Sequence, residues 1–122
     1  MDENKSVLIV DDEPSNIDLI AGILSPHVKT KAAPKGQIAL VISKKTHPDM
    51  VLLDLKMPEM DGFEVCKKLK ADPDTADIPV VFISGEQDPA DVAKGKELGA
   101  VDFLFKPVEP DKLIAAVEKY IG

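Results

Sequence analysis

A chain of 122 residues, 44% hydrophobic and 30% charged, has the size and composition of one globular domain large enough to bury its own core. Its formal net charge of -7 excludes a nucleic-acid surface of the usual kind, which needs clustered Lys and Arg, and no apolar stretch reaches the ~20 residues of a membrane span. The single cysteine, Cys66, excludes an intrachain disulfide, and the start Met1-Asp2-Glu3-Asn4-Lys5 lacks the basic and apolar regions of a signal peptide, so the expected compartment is the cytoplasm.

The pattern alternates strand and helix five times. Residues 6–11, carrying Val7-Leu8-Ile9-Val10, predict the first strand. Pro14 opens a helix, because a first helical position does not need the missing N–H, and Ile17, Ile20, Ala21 and Leu24 give it an apolar face. Residues 28–32 alternate in polarity and read as a half-exposed edge strand, where lysines discourage stray pairing. A helix over 35–44 centres on Ile38, Val41 and Ile42, and a strand follows at 49–54. Asp61-Gly62 marks a turn into a helix with Phe63, Cys66 and Leu69 on one side, closed by Asp72-Pro73-Asp74. Here Cys66 reads as a small buried core residue. The next strand spans 79–84. The helix at 88–98 has the weakest pattern, with Gly95 inside it and only Val92, Ala93 and Leu98 as anchors, so it should be marginal and mobile. A strand at 101–105 and a helix at 110–121, with Leu113, Ala116, Val117 and Ile121 facing inward, complete the chain.

Four of the five strand runs are almost continuously apolar, as parallel strands covered on both faces should be, and helical crossovers of adequate length join them. The expectation is an open, doubly wound α/β sheet, which binds ligands beyond the carboxyl ends of its strands. No internal repeat, low-complexity tract or interdomain linker divides the sequence, so residues 1–122 read as a single domain with its core over 5–121.

Each of these apolar runs ends in a polar residue: Asp11-Asp12, Asp54, Ser84 and Lys106. The topology would gather them in one crevice. Asp11 or Asp12 alone could cap the helix at Pro14. Two adjacent acids leaving a buried strand repel each other, and a hard cation such as magnesium relieves the repulsion. Asp54 could be a loop carboxylate or a nucleophile toward phosphorus. Lys106 could be a surface charge, or a counter-ion and phosphate ligand. Ser84 could start a turn or donate to a phosphoryl oxygen, with Gly85 leaving room for that group. His27 and His47 have no acidic or phosphotransfer context, and Met57 and Met60 read as loop packing around Pro58.

The segments Val10-Asp11-Asp12-Glu13-Pro14, Leu53 through Gly62, Phe82-Ile83-Ser84-Gly85 and Gly99 through Pro107 closely resemble the receiver domains of two-component response regulators. The resemblance covers about residues 5–121 and implies a flavodoxin-like (βα)5 sandwich of strand order 2-1-3-4-5. It implies that Asp54 is the phosphoacceptor. Asp11, Asp12, Asp54 and the Lys56 backbone carbonyl would hold Mg2+, with Mn2+ as a substitute. Ser84 and Phe103 align with the switch hydroxyl and the switch aromatic that turns inward when the hydroxyl moves. Lys106 aligns with the phosphoryl-binding lysine, followed by a cis bond to Pro107. Phe103 departs from the more usual Tyr, which makes the output surface more apolar. Lys56 and Glu86 flank the phosphoryl position, and a pair between them would either screen Asp54 from water or be a solvated surface contact of little worth.

The resemblance implies a signalling switch rather than a turnover enzyme. Its partners would be a histidine kinase or histidine phosphotransfer protein and an effector met through helix 4, strand 5 and helix 5, with a phosphorylation-dependent homodimer as a further form. No contact with nucleic acid or membrane is expected of this domain. A phosphatase with an aspartyl-phosphate intermediate would need a second Asp where Lys56 stands. A flavodoxin-type flavin binder would need a Gly- and hydroxyl-rich loop where Asp11-Asp12-Glu13-Pro14 stands. A degenerate receiver that only binds protein would not keep the full polar set. The sequence stops at Gly122 with no effector after it, which suits either a stand-alone regulator or a receiver taken from a larger protein. The stretch Gly99-Ala100-Val101-Asp102-Phe103 is similar to receivers attached to cyclic-dinucleotide enzymes.

Overall fold

The computed structural model describes residues 4–122. Five strands and five helices alternate: β1 Ser6–Val10, α1 Pro14–Leu24, β2 Lys29–Ala33, α2 Gly36–Thr46, β3 Met50–Asp54, α3 Gly62–Ala71, β4 Val80–Ser84, α4 Pro89–Glu97, β5 Asp102–Phe105 and α5 Pro110–Ile121. The strands form one parallel sheet in the order β2-β1-β3-β4-β5, the order the resemblance implies.

The strand period of two splits each apolar run between two cores. Leu8, Val10, Val51, Leu53, Val80 and Phe82 face α2, α3 and α4. Their neighbours Val7, Ile9, Met50, Leu52, Val81 and Ile83 face α1 and α5. This is why β3 and β4 are buried along their whole length and read as unbroken hydrophobic runs. Burying each Leu, Ile or Phe fully stabilises the fold by about 1.5–3 kcal/mol before the entropy of ordering is subtracted. β2 lies at the sheet edge with Lys29 and Lys31 exposed, as its alternating pattern predicts.

Three helices start at a proline, and two have a side-chain cap. Asp61 accepts from the Glu64 backbone N–H at 2.9 Å, and Asp88 accepts from that of Ala90 at 2.9 Å. Such a cap contributes ~1 kcal/mol. At the far end of the sheet, the Lys70 ammonium donates to the carbonyls of Ala76 and Ile78 at 3.0 and 2.6 Å. Its stem lies under Gly99, whose φ of +106° suits glycine, so one side chain joins α3, the loop before β4 and the loop before β5.

Two helix faces differ from the sequence reading. In α2, Val41 is 58% exposed, while Ala39 and Ser43 are buried. Ile38 and Ile42 pack partly buried on the core as the periodicity predicts, and only Val41 departs, because a small residue and a hydroxyl complete the inner face and weigh little in a hydrophobic pattern. In α4, Ala93 is exposed and the one buried residue is Gly95. A Cβ there would stand 3.0 Å from the Phe82 ring, so the helix approaches the sheet through the missing side chain.

Candidate functional site

β1, β3 and β4 end side by side, and their parallel register brings the residues at their carboxyl ends together. Asp11 and Asp54 are buried, Asp12 is exposed, and Ser84 is buried. Carboxylate oxygens of Asp11, Asp12 and Asp54 lie within 4.8 Å of one another. The Lys106 ammonium enters from the loop after β5. It donates to Asp54 Oδ1 at 3.3 Å and lies 3.4 Å from Asp11 Oδ2. The Lys106–Pro107 peptide bond is cis.

Asp11 is oriented by the Glu13 backbone N–H, which donates to Asp11 Oδ1 at 2.9 Å. The helix cap is Glu13 itself, with no side-chain cap bond, so neither Asp11 nor Asp12 is the capping residue. Gly62 underlies Asp54. Its N–H donates to the Leu55 carbonyl at 2.8 Å, and a Cβ at position 62 would stand 2.5 Å from the Asp54 carbonyl oxygen. The sequence marked this glycine only as part of a turn, and no local pattern reveals that it touches the backbone of Asp54.

Burial raises the Asp54 carboxyl from its ordinary 3.8 to about 6, the Asp11 charge adds to the rise, and Lys106 opposes it. For Lys106, burial alone would lower the ammonium, but Asp54 and Asp11 outweigh it and the net direction is upward. Three carboxylates therefore converge here, and the Lys106 ammonium pairs with two of them, Asp11 and Asp54. That imbalance suits a divalent cation, and an all-oxygen donor set suits magnesium or manganese rather than zinc.

Ser84 Oγ accepts from the Glu86 N–H at 3.2 Å. At Gly85 a Cβ would meet nothing within 4 Å, so the space beside Ser84 is open. Lys56 and Glu86 pair at 2.7 Å, both largely exposed, at the rim of the crevice. Phe103 is already inward. It is buried and tilted against Phe82 at 5.5 Å and Phe105 at 5.5 Å between ring centres. His47 corrects another expectation, because it does have an acidic partner: its Nε2 is 3.0 Å from Asp77. That exposed pair lies at the opposite end of the sheet, and the hydrogen bond to Asp77 raises the imidazole above its ordinary value. His27 has no such contact among those seen in the described residues. Cys66 is buried as expected, and burial pushes its thiol up, which makes it unreactive.

The profile of the response regulator receiver domain matches residues 7–118. The chain is 44% identical over 95% of its length to a probable cyclic di-GMP phosphodiesterase of Vibrio cholerae, and covers 26% of that protein. It is 43% identical over 91% of its length to the response regulator PleD of Caulobacter vibrioides, of which it covers 25%. The chain thus spans about a quarter of the length of these curated relatives. Among solved structures, the chemotaxis protein CheY4 of Vibrio cholerae superposes with a TM-score of 0.91 at 28% identity, over 97% of this chain and 99% of that one.

Proposed function

The chain belongs to the response regulator receiver domains of two-component signalling, and on that premise we propose that it is a switch phosphorylated on Asp54. One observation carries the reading: the carboxylates of Asp11, Asp12 and Asp54 converge within 4.8 Å while Lys106 holds Asp54 Oδ1 at 3.3 Å. A carboxylate oxygen of Asp54 attacks the phosphorus of a phosphohistidine on a histidine kinase or phosphotransfer protein. The P–N bond breaks, the imidazole leaves and takes up a proton, and an acyl phosphate forms on Asp54. Asp11, Asp12, Asp54 and the Lys56 carbonyl would hold Mg2+, which when bound neutralises charge on the carboxylate and the incoming phosphoryl oxygens.

The remaining steps belong to the chain's own side chains. Lys106 passes from the Asp54 carboxylate to a phosphoryl oxygen. The Ser84 hydroxyl donates to another, and the open space beside Gly85 leaves room for both. The Lys56–Glu86 pair at the rim limits the approach of water and so prolongs the acyl phosphate. Because Phe103 is already inward, the phosphoryl group holds Ser84 and Phe103 in place rather than drawing the ring in. The face of α4, β5 and α5 then presents a fixed surface to an effector, or to a second phosphorylated copy. Relationship to a probable cyclic di-GMP phosphodiesterase favours an effector in cyclic-dinucleotide signalling. The whole of residues 1–122 acts as this one receiver unit, and its own phosphorylation and dephosphorylation are switch events rather than turnover.

The test is intact-protein mass after incubation with a small acyl-phosphate donor, with and without Mg2+, on wild type and Asp54→Asn. One added phosphoryl group that needs Mg2+ and is lost in the variant is the expected result. A label retained on Asp54→Asn overturns the assignment. No label, together with no binding of beryllofluoride, favours a module that binds protein without phosphorylation.

A further inference from the structure

We propose that Phe82 is a positioning residue that ties the backbone of the phosphoacceptor to helix α4; the proposal rests on the switch reading above. Phe82 lies in the middle of β4, two residues before Ser84, with Leu53 and Phe103 as its register partners on β3 and β5. It is fully buried and heads the large core side chains by volume.

Two positions without side chains hold its ring. A Cβ at Gly62, where α3 begins, would stand 3.0 Å from Phe82 Cε1 and 2.5 Å from the Asp54 carbonyl oxygen. A Cβ at Gly95, in α4, would stand 3.0 and 3.1 Å from Phe82 Cδ2 and Cε2. Phe63 meets the same ring edge-on, with centres 5.6 Å apart and planes at 67°, and Phe103 lies tilted against it. Main chain therefore packs directly on the aromatic ring at both ends of one line: Asp54, Gly62, Phe82, Gly95.

A flexible side chain would absorb a small displacement along that line. A planar ring confined by two bare backbones cannot, because close-packed interiors shift between discrete arrangements rather than deforming smoothly. Helix α4 is the element that can yield, since Gly95 is its one buried residue. Movement of the Asp54 backbone on phosphorylation would thus reach α4 through Phe82, separately from the contacts that hold Ser84 and Phe103 in place. Both glycines are explained at once: each lets main chain come closer to this ring than a Cβ would allow without displacing it.

The experiment compares amide NMR spectra of wild type, Phe82→Leu and Gly95→Ala, each with Mg2+, before and after beryllofluoride. In wild type, amides beside Asp54 and amides of 88–98 both shift. In Phe82→Leu the amides beside Asp54 still shift, while the coupling to 88–98 weakens roughly two- to thirtyfold. Gly95→Ala, whose methyl presses on the same ring, uncouples α4 in the same way and serves where Phe82→Leu does not fold. The double variant restores the response, because the smaller side chain makes room for the methyl. A purely structural role would give additive losses of stability and no such rescue. A folded Phe82→Leu with a full response over 88–98 overturns the proposal. Wild type that shows no shift beside Asp54 overturns the phosphoacceptor reading instead, and this proposal with it.

Discussion

Replacing Asp54 by Asn should make the metal-free protein more stable at neutral pH. The Asp54 carboxyl is raised from 3.8 to about 6 by burial and by the charge of Asp11, so the fold favours its neutral form. The stability that this group contributes is fully present below pH 3.8 and is lost as the pH rises through about 6. At 1.36 kcal/mol per pH unit, the ionised carboxylate costs the native state on the order of 3 kcal/mol above that range. That figure already includes the attraction of Lys106. Asn is nearly isosteric with the protonated acid and uncharged throughout, so it escapes the penalty.

The expected gain is about 2–3 kcal/mol at pH 7.5, falling to nothing near pH 3.5. With a urea slope of about 1–3 kcal/mol/M for a small domain, the midpoint should rise by roughly 0.7–3 M. Urea unfolding followed by circular dichroism from pH 3.5 to 8, in the presence of a chelator, measures it. Added Mg2+ should then narrow the difference, because the cation stabilises wild type by about 2.7 kcal/mol at a hundred times its Kd and has lost a ligand in the variant. An Asp54→Asn midpoint at or below wild type at pH 7.5, or a difference that does not shrink toward acid, would refute the reasoning.

Lys106→Met should move the Asp54 titration midpoint further upward, since Lys106 is the group that holds it down; carboxyl carbon NMR across pH reads this directly. Gly62→Ala should destabilise the fold by about 1–3 kcal/mol in urea unfolding, because the new methyl meets the Asp54 carbonyl rather than a side chain that could move aside. Lys56→Ala should leave the urea midpoint unchanged and shorten the life of the phosphoryl label, as followed by mass over time. An unchanged lifetime would reduce the 2.7 Å pair with Glu86 to a solvated surface contact.

The strands were legible because both faces of the sheet are covered, which turns each buried strand into a short apolar word followed by a polar residue. The site was legible for the same reason: Asp11, Asp12, Asp54, Ser84 and Lys106 all stand where such a word ends. Helices were less so. In α2 Ile38 and Ile42 pack on the core as read, but the buried residues are Gly36, Ala39 and Ser43, which hydrophobic periodicity hardly registers, and Val41 faces water. Pairings between distant residues were hidden altogether. His47 meets Asp77 across 30 positions, and nothing near either residue announces the other. Gly62 and Gly95 read as turn and helix-weakening signals, yet each marks a place where backbone packs on a ring. A sequence shows that a side chain is missing, and only the fold shows what fills the space.

The Lys70 staple bears on how this protein would behave toward amine chemistry. The chain has 15 Lys and Arg residues, and every one of them is lysine, so acylating reagents and cellular acyl donors see many targets. Lys70 is unlike the exposed ones, because its ammonium is spent on two carbonyls and burial lowers its pKa, while Cys66 and Asp77 oppose that shift. Labelling should reach it last, after the lysines of β2 and α4, and only through opening of the base of the domain. An acyl group once placed there could not be accommodated by the same two carbonyls. The order in which lysines react would therefore report, site by site, how firmly the end of the sheet remote from Asp54 stays closed.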